Sequence, residues 1–259
     1  MTDKIDQALK TESLDSGSIW LVRLARPKAN IIDGAMTRAL CDMFERAAEE
    51  PNLKAIVLSA EGPHFSFGAS VQEHAPDSVR DMLATFHGLF RTIAKAAIPV
   101  IAAVSGQCLG GGLELTAFCH RIIAAPNAQM GQPEIVLGVF APVASVLLPS
   151  RIGRGAAQDL CLSGRSISAE EAHRIGLVDA IADDAEAAAL DYARSQYGPL
   201  SASSLRFATR AIRGAWEDQF FADLDRVETL YLEELMQSHD AVEGIEAFLA
   251  KRKPEWRNR

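Results

Sequence analysis

The segment from Ile98 to Gly138 reads IPVIAAVSGQCLGGGLELTAFCHRIIAAPNAQMGQPEIVLG. Its apolar run Val100–Val104 is typical of a buried strand, and the glycines at 110–112 separate this run from a helix-like segment that begins at Leu113. Glycines at such a junction let the backbone approach a ligand closely, and the helix start leaves N–H groups free. The junction therefore predicts an anion-binding site at the start of a helix.

Two glutamates accompany this junction. Glu114 lies three residues after Gly111, so its side chain can point back over the same opening, and Glu134 follows in the segment GQPEIVLG. Two carboxyl groups beside N–H donors are typical of acid–base chemistry on a carbonyl compound. Two simpler interpretations remain open from the residues alone. The glycines can form only a tight strand-to-helix connection, and Glu114 can be only a favourable partner of the helix dipole.

The glycine spacing does not match the common phosphate-binding motifs. Gly106, Gly110, Gly111 and Gly112 do not give the pattern G-x-G-x-x-G of dinucleotide-binding proteins, and the segment is not a P-loop. The sequence therefore does not favour a nucleotide-dependent enzyme.

Three motifs in combination resemble the enoyl-CoA hydratase/isomerase (crotonase) superfamily. They are HFSFGAS at 64–70, SGQCLGGGLEL at 105–115 and GQPEIVLG at 131–138. The resemblance covers nearly the whole chain, from RPKAN at 26–30 to the basic C-terminal segment. It implies an α/β fold, a crotonase-type spiral of strand-strand-helix units with a C-terminal helical trimerisation region.

The resemblance also implies the roles of individual residues. In crotonases, the first motif and the glycine turn each supply one backbone N–H of an oxyanion hole, and these donors correspond to Ala69 and Gly111. Glu114 and Glu134 together would hold a water molecule, with Glu114 as the general base and Glu134 as the proton donor. Because both glutamates are present, we expect a hydratase rather than a member that only isomerises or cleaves.

Coenzyme A is expected as part of the substrate, and no metal or redox cofactor is implied. In the family, the loop at 26–30 lies along the pantetheine and adenine, and C-terminal lysines often contact the CoA phosphates. An exposed turn and a solvated helix end would explain the same residues without a ligand. The expected contacts to the acyl-CoA are made by Arg26, Lys28, Ala29, Phe67, Gly68, Gly110 and Lys251.

One stretch departs from the common hydratase pattern. In many family members a proline and a glycine-rich segment begin the helix that faces the acyl group, whereas this chain has FAPV at 140–143. A second departure is Ser70, at a position where many members have Asp. FSFGASVQEH and GVFAPVASVLLPSRIG resemble the subgroup that hydrates cyclohexa-1,5-diene-1-carbonyl-CoA. We therefore expect a pocket for a flat ring; a straight-chain enoyl-CoA hydratase with altered packing is the alternative. The expected lining residues are Phe67, Phe140, Ala141 and Val143.

Hydrophobic periodicity predicts alternating strands and helices in the first 198 residues. From Pro199 onward the pattern is only helical, so we place a core domain at 1–198 and a helical region at 199–259. In the crotonase family the latter region packs against a neighbouring subunit, so the resemblance implies an oligomerisation region at 199–259 and a second copy of the chain as partner, in a trimer or a dimer of trimers. Predicted strands cover 19–24, 55–60, 100–104, 121–125 and 177–181; predicted helices cover 36–47, 79–97, 142 to about 149, 169–176 and 185–196.

The chain has a composition that is ordinary for a soluble globular protein. With 259 residues and a formal net charge of −8, it is not a candidate for nonspecific nucleic-acid binding. No apolar run reaches membrane-spanning length, and the first ten residues are too charged for a signal peptide, so we expect a cytoplasmic protein. We expect structural or surface roles for His64, His74 and His87, and buried free thiols at Cys41, Cys108, Cys119 and Cys161.

Overall fold

The computed structural model describes residues 8–259, and nine strands lie within this range. Six of them form one large sheet and three form a small second sheet, which lies beside the glycine-rich junction. The strands are β1 (Leu9–Leu14), β2 (Ile19–Leu24), β3 (Ala55–Ala60), β4 (Val100–Val104), β5 (Gln107–Leu109), β6 (Arg121–Ala124), β7 (Gln129–Gly131), β8 (Ser166–Ser168) and β9 (Ala180–Ile181).

The large sheet has the order β1-β2-β3-β4-β6-β9, and its strands are parallel except for β1. Alternate side chains of a strand point to opposite faces of the sheet. In β4, Val100 and Ala102 belong to the main core, whereas Ile101 and Ala103 belong to a second cluster on the other face. Because both faces are covered, β4 consists entirely of apolar residues.

Strand β1 was not predicted from the sequence. It reads LKTESL, its four central residues are exposed, and it pairs antiparallel with β2 at the edge of the sheet. An edge strand needs no apolar face when its backbone pairing supplies the stabilising contacts, so hydrophobic alternation did not reveal it.

The small sheet has the order β5-β7-β8 and is extended by the segment 65–69. The amide of Ser66 donates to the carbonyl of Gln107, and Leu109 donates back to Ser66, at 3.0 Å each. On its other side, the segment pairs with Ile32, whose amide donates to the carbonyl of Gly68 at 2.9 Å. These bonds carry the segment past the end of β5, directly to the glycine junction.

Eight α-helices lie within residues 8–259, with 3₁₀ turns that include Val71–His74 and Pro133–Leu137. Asp33 begins the first helix, where its side chain accepts a hydrogen bond from the amide of Met36 at 2.8 Å. None of these helices is long and apolar enough to cross a bilayer. The helices are α1 (Gly34–Ala48), α2 (Val79–Ala96), α3 (Gly111–Phe118), α4 (Pro142–Ser163), α5 (Ala169–Arg174), α6 (Ala185–Tyr192), α7 (Ala202–Thr229) and α8 (His239–Leu249).

The predicted end of α4 near Pro149 was wrong. The helix continues through Pro149 and changes direction at Gly153, where φ is 76° and ψ is 156°. A residue with a side chain rarely adopts these angles, so the glycine and not the proline sets the bend. Pro142 occupies the first turn, where no helical N–H partner is lost.

The region after residue 199 packs on the rest of the chain and is mostly helical as far as Leu249. The prediction of helix to the end of the chain was wrong for residues 250–259, which form no helix. Helix α7 begins at Ala202, and a π-helical turn, Leu230–Glu234, follows its end. Buried side chains of this region, among them Phe220, Leu224 and Ile245, belong to the same core as the large sheet. The change at residue 199 is therefore a change in secondary structure within one continuous core.

Candidate active site

Glu114 lies in the first turn of α3 and its carboxyl group faces the start of α4. The side chain is buried, and the amide of Ala144 donates to Glu114 Oε1 at 2.8 Å. Ala144 is in the first turn of α4, where amides have no partner within the helix. The glutamate therefore satisfies one of these amides and lies at the positive end of the α4 dipole.

Glu134 approaches the same place from the 3₁₀ turn that follows β7. A Cβ atom added to Gly110 would lie 2.5 Å from Glu134 Oε1, so the carboxyl group occupies space that only glycine leaves open. Gly110 also has φ 51° and ψ −126°. Buried Gln132 lies beside Glu134, and the orientation of its side-chain amide that satisfies both groups places its nitrogen 3.2 Å from Glu134 Oε1 and 2.9 Å from Oε2. The chain thus fixes Glu134 on two sides.

Both carboxyl groups have a pKa above the usual range of a glutamate. Burial raises the pKa of Glu114 above its usual range, although the amides of Ala144 and Val143 oppose this effect. Burial also raises the pKa of Glu134, and the nearby charge of Glu114 raises it further. These effects favour a pair that shares one proton near neutral pH, which is the state needed for one base and one acid.

The predicted oxyanion donors, Ala69 and Gly111, are close together. A Cβ atom on Gly111 would lie 3.2 Å from the amide nitrogen of Ala69 and 3.2 Å from the ring of Phe86. Within residues 8–259, neither of the two amides donates to a backbone or side-chain acceptor. The extended segment at 65–69 and the start of α3 therefore bring two free N–H groups to one opening.

These groups line one cavity of about 670 Å³, counted with its open mouth. Its wall is apolar apart from the two glutamates and two histidines. Three of the four residues expected at the acyl wall, Phe67, Phe140 and Ala141, line it, whereas Val143 is fully buried and does not. The expectation for Val143 was wrong because the helical turn of α4 directs its side chain into the core.

Two of the three histidines expected to have surface or structural roles line the cavity. His74 donates from Nδ1–H to the carbonyl of Ser70 at 2.8 Å, and His87 is 3% exposed and hydrogen-bonded to Glu228. His64 lies outside the wall and accepts from the amide of Gln107 at 3.2 Å. Of the two expected roles, the buried position of His87 agrees with the structural one. Its partner is 141 residues away in sequence, so no local pattern could have revealed the pair.

The predicted CoA-binding residues occupy different positions relative to the cavity. Phe67, Gly68 and Gly110 line it, and the carbonyl of Ala29 accepts from the amide of Phe67 at 2.9 Å. Ala29 and the remaining three, Arg26, Lys28 and Lys251, are not among its lining residues. The guanidinium of Arg26 pairs with both carboxylate oxygens of Asp33, and the side chains of Lys28 and Lys251 are exposed.

All four cysteines are free thiols, in agreement with the sequence. Cys108 and Cys119 are buried, and Cys41 and Cys161 are half-buried. Burial raises the pKa of the Cys108 and Cys119 thiols to about 12. Thiols with such a high pKa remain protonated and act as packing groups.

The chain is similar to known proteins in both sequence and fold. The family model for enoyl-CoA hydratase/isomerase matches residues 15–259. The cyclohexa-1,5-dienecarbonyl-CoA hydratase of Thauera aromatica is 56% identical over 243 residues, which are 94% of each chain. A solved enoyl-CoA hydratase/isomerase of Pseudoalteromonas atlantica T6c is 28% identical, with a TM-score of 0.82 over 96% of this chain and 99% of that chain. A solved enoyl-CoA hydratase of Mycobacterium avium subsp. paratuberculosis K-10 is 26% identical, with a TM-score of 0.83 over 97% and 99%. The fold, the paired glutamates and these similarities lead to one conclusion: the chain belongs to the enoyl-CoA hydratase/isomerase family.

Proposed function

We propose that the chain is an acyl-CoA hydratase that adds water to cyclohexa-1,5-diene-1-carbonyl-CoA and forms 6-hydroxycyclohex-1-ene-1-carbonyl-CoA. The observation that carries this proposal is that Glu114 and Glu134 line one cavity in which each has a raised pKa. Hydration needs a base for the water and an acid for the carbon chain, and a pair that shares one proton supplies both.

In the proposed mechanism, the thioester oxygen binds between the amides of Ala69 and Gly111. Two such donors stabilise the negative charge that develops on this oxygen, an effect typically worth about 3 kcal/mol per donor. Glu114 takes a proton from the water as the oxygen attacks the β carbon, and Glu134 delivers a proton to the carbon chain. In the cyclic diene this proton goes to the far end of the conjugated system, which makes the reaction a 1,4-addition.

A cyclic substrate is supported by the wall of the cavity and by the relative from Thauera aromatica. Phe67 and Phe140 face the cavity, and Phe140 is held edge-on against Tyr231 with ring centroids 5.2 Å apart. Flat aromatic walls suit a flat ring, whereas a straight acyl chain needs a narrow channel. In this role the enzyme would serve anaerobic benzoyl-CoA degradation.

The proposal also includes the CoA contacts, the oligomeric assembly and the cellular location expected from the sequence. CoA would enter as part of the substrate, along Arg26, Lys28 and Ala29, with Lys251 available for a phosphate. Large apolar side chains are exposed on α7, where Phe207 is 66% and Ile212 is 81% exposed. Exposed apolar surface of this kind supports assembly of the chain into a trimer or a dimer of trimers. We expect the assembly to work in the cytoplasm.

The test compares steady-state kinetics on the cyclic diene thioester and on crotonyl-CoA, with Glu114→Gln and Glu134→Gln beside the parent enzyme. We expect faster turnover of the diene and loss of activity in both variants, because glutamine keeps the shape of each side chain but cannot transfer a proton. Faster turnover of crotonyl-CoA would instead identify a straight-chain enoyl-CoA hydratase. Full activity in either glutamine variant would contradict the two-carboxyl mechanism.

A further inference from the structure

The last residues of the chain turn back along α8. This helix ends at Leu249, and Lys251 then has a left-handed φ of 53°. The amide of Arg252 donates to the carbonyl of Ala247 at 2.9 Å, a pattern in which a left-handed residue ends a helix and redirects the chain. The residues that follow form a C-terminal tail, 252–259, that runs back toward the first turn of α8.

Two carboxylates of α8 hold this tail. Glu243 accepts a hydrogen bond from the backbone amide of Glu255 at 2.7 Å. Nearer the start of the helix, Asp240 accepts from the amides of Arg257 at 2.7 Å and Asn258 at 2.6 Å. The bond from the Arg257 amide holds the pKa of Asp240 below its usual range, so this carboxylate is ionised at neutral pH. Hydrogen bonds to an ionised acceptor are stronger than those between neutral groups, so the backbone on both sides of residue 256 is fixed.

Trp256, which lies between these fixed amides, covers two glycines. A Cβ atom added to Gly138 would lie 3.1 Å from its indole ring, and a Cβ atom added to Gly244 would lie 2.9 Å from it. Gly138 ends the 3₁₀ turn Pro133–Leu137, which carries Glu134, and Gly244 belongs to α8. The indole therefore bridges the turn and the helix at a place where neither has a side chain.

The turn and α8 meet there through their backbones. A Cβ atom on Gly244 would lie 2.1 Å from the carbonyl oxygen of Leu137, and one on Gly138 would lie 2.7 Å from the carbonyl oxygen of Asp240. Within residues 8–259, no backbone hydrogen bond joins the turn to α8. The position of the turn against the helix therefore depends on packing, and the indole of Trp256 covers this contact from its outer side.

This contact lies directly behind the wall of the active site. Ile245, the residue after Gly244, lines the cavity together with Glu134, whereas Trp256 is not among the lining residues. Glu134 Oε1 lies only 2.5 Å from the Cβ position of Gly110, so the carboxyl group has little room, and a shift of its turn changes where it lies. Trp256 therefore supports the turn of the proton donor from behind the cavity wall.

We propose that Trp256 is a positioning residue for Glu134. By covering Gly138 and Gly244, its indole holds the turn against α8 and keeps the carboxyl group where it delivers the proton. Asp240 and Glu243 serve the same purpose indirectly, because they hold the tail that carries the indole. The proposal rests on the function proposed above, in which Glu134 is the proton donor.

The test compares Trp256→Ala, Trp256→Phe and Asp240→Ala with the parent enzyme, and Glu255→Ala is the matched control. Glu255 is next to Trp256 in the tail, its side chain is exposed, and alanine retains the backbone amide that Glu243 binds. Steady-state kinetics are measured on the cyclic diene thioester and on crotonyl-CoA. The saturated thioester cyclohexanecarbonyl-CoA, which has no double bond to hydrate, reports binding as a competitive inhibitor, and melting temperatures establish that each variant is folded.

In Trp256→Ala we expect kcat to fall about 10- to 100-fold, because a displacement of roughly 1 Å at a reacting group has a cost of this size. KM and the inhibition constant of the saturated thioester should change less than about threefold, since the indole does not line the cavity. Trp256→Phe should recover most of the lost kcat, because it keeps an aromatic ring over the two glycines. Asp240→Ala should lower kcat in the same direction, and Glu255→Ala should stay within about twofold of the parent.

A folded Trp256→Ala enzyme with a kcat within about threefold of the parent would overturn the proposal. So would equal losses in Trp256→Ala and Trp256→Phe, or a loss of kcat matched by equally weakened binding of the saturated thioester, since this would indicate general damage to the pocket. If Trp256→Ala does not fold, the kcat of folded Asp240→Ala decides in the same way.

The parent enzyme tests the proposed function separately, before any variant is made. Hydration of crotonyl-CoA alone would overturn the proposed cyclic substrate, and the role of Trp256 would then be decided by the same variants on crotonyl-CoA. Hydration of neither thioester would overturn the hydratase function and, with it, this role of Trp256.

Discussion

Replacement of Gly110 by alanine should separate the position of Glu134 from its chemistry. The new Cβ would lie 2.5 Å from Glu134 Oε1, about 1 Å inside ordinary contact distance. Because the φ of 51° keeps the backbone in a region that favours glycine, the backbone has little freedom to relieve the contact. The carboxyl group must therefore move by roughly 1 Å, and a displacement of this size at a reacting group can cost about 100-fold in rate.

We expect kcat of Gly110→Ala on the diene thioester to fall about 100-fold. The change in KM should be smaller, because Gly110 is one of seven expected acyl-CoA contacts and the other six are unchanged. Gly155→Ala is the matched control, since a Cβ at Gly155 meets nothing within 4 Å. Steady-state kinetics and thermal melting of both variants provide the measurement. A folded Gly110→Ala enzyme whose kcat stays within about threefold of the parent would refute the reasoning that Glu134 must occupy this position.

Three further changes test other parts of the structure. At pH values between the ordinary glutamate pKa and the raised pKa of Glu134, the folded chain binds more protons than the unfolded chain, so the folded state loses stability as pH rises. Glutamine at this position carries no charge and removes this loss. Thermal scans should therefore show that the gain in Tm of Glu134→Gln over the parent is larger at pH 8 than at pH 5, by about 2 to 6 °C. Arg151→Met should lower the free energy of unfolding, measured by chemical denaturation, by about 1 to 3 kcal/mol. The guanidinium of Arg151 donates to the carbonyls of Ala117, Cys119 and Leu177, and methionine cannot replace these hydrogen bonds. An unchanged denaturation midpoint would contradict this prediction. Gly244→Ala should lower both Tm and kcat, because a Cβ atom at this position of α8 would lie 2.1 Å from the carbonyl of Leu137. Leu137 belongs to the 3₁₀ turn that also carries Glu134. A lower Tm with a normal kcat would mean that α8 does not support that turn.

The sequence predicted the elements that are apolar on one face or both. The strands at 19–24 and 55–60 and the helix over 79–97 agree with β2, β3 and α2 to within one residue, because burial fixes their hydrophobic pattern. The short strands β5, β7 and β8 were missed. Each has three residues, which is too few to show a period, and their stability comes from pairing with distant segments.

In the site, too, features that are local in sequence were predicted and features that depend on distant segments were not. The paired glutamates and the oxyanion amides lie in motifs that are local in sequence, so the motifs were sufficient to name them. Gln132 is adjacent to Glu134 in sequence, but only the fold shows that its amide reaches the carboxylate. His87 meets Glu228 through the packing of α2 on α7, and Val143 turns away from the cavity through the rotation of α4. Such relations depend on three-dimensional packing, which a single sequence does not specify.

The position of Ile245 on α8 has a consequence for the order in which the site is made. Ile245 lines the cavity together with Glu114 and Glu134, although it follows them by more than 100 residues. A ribosome synthesises the chain from its N-terminus, so both glutamates emerge while this part of the wall is still missing. The wall of the cavity can therefore be complete only after α8, the last helix of the chain, has been synthesised and has packed in place.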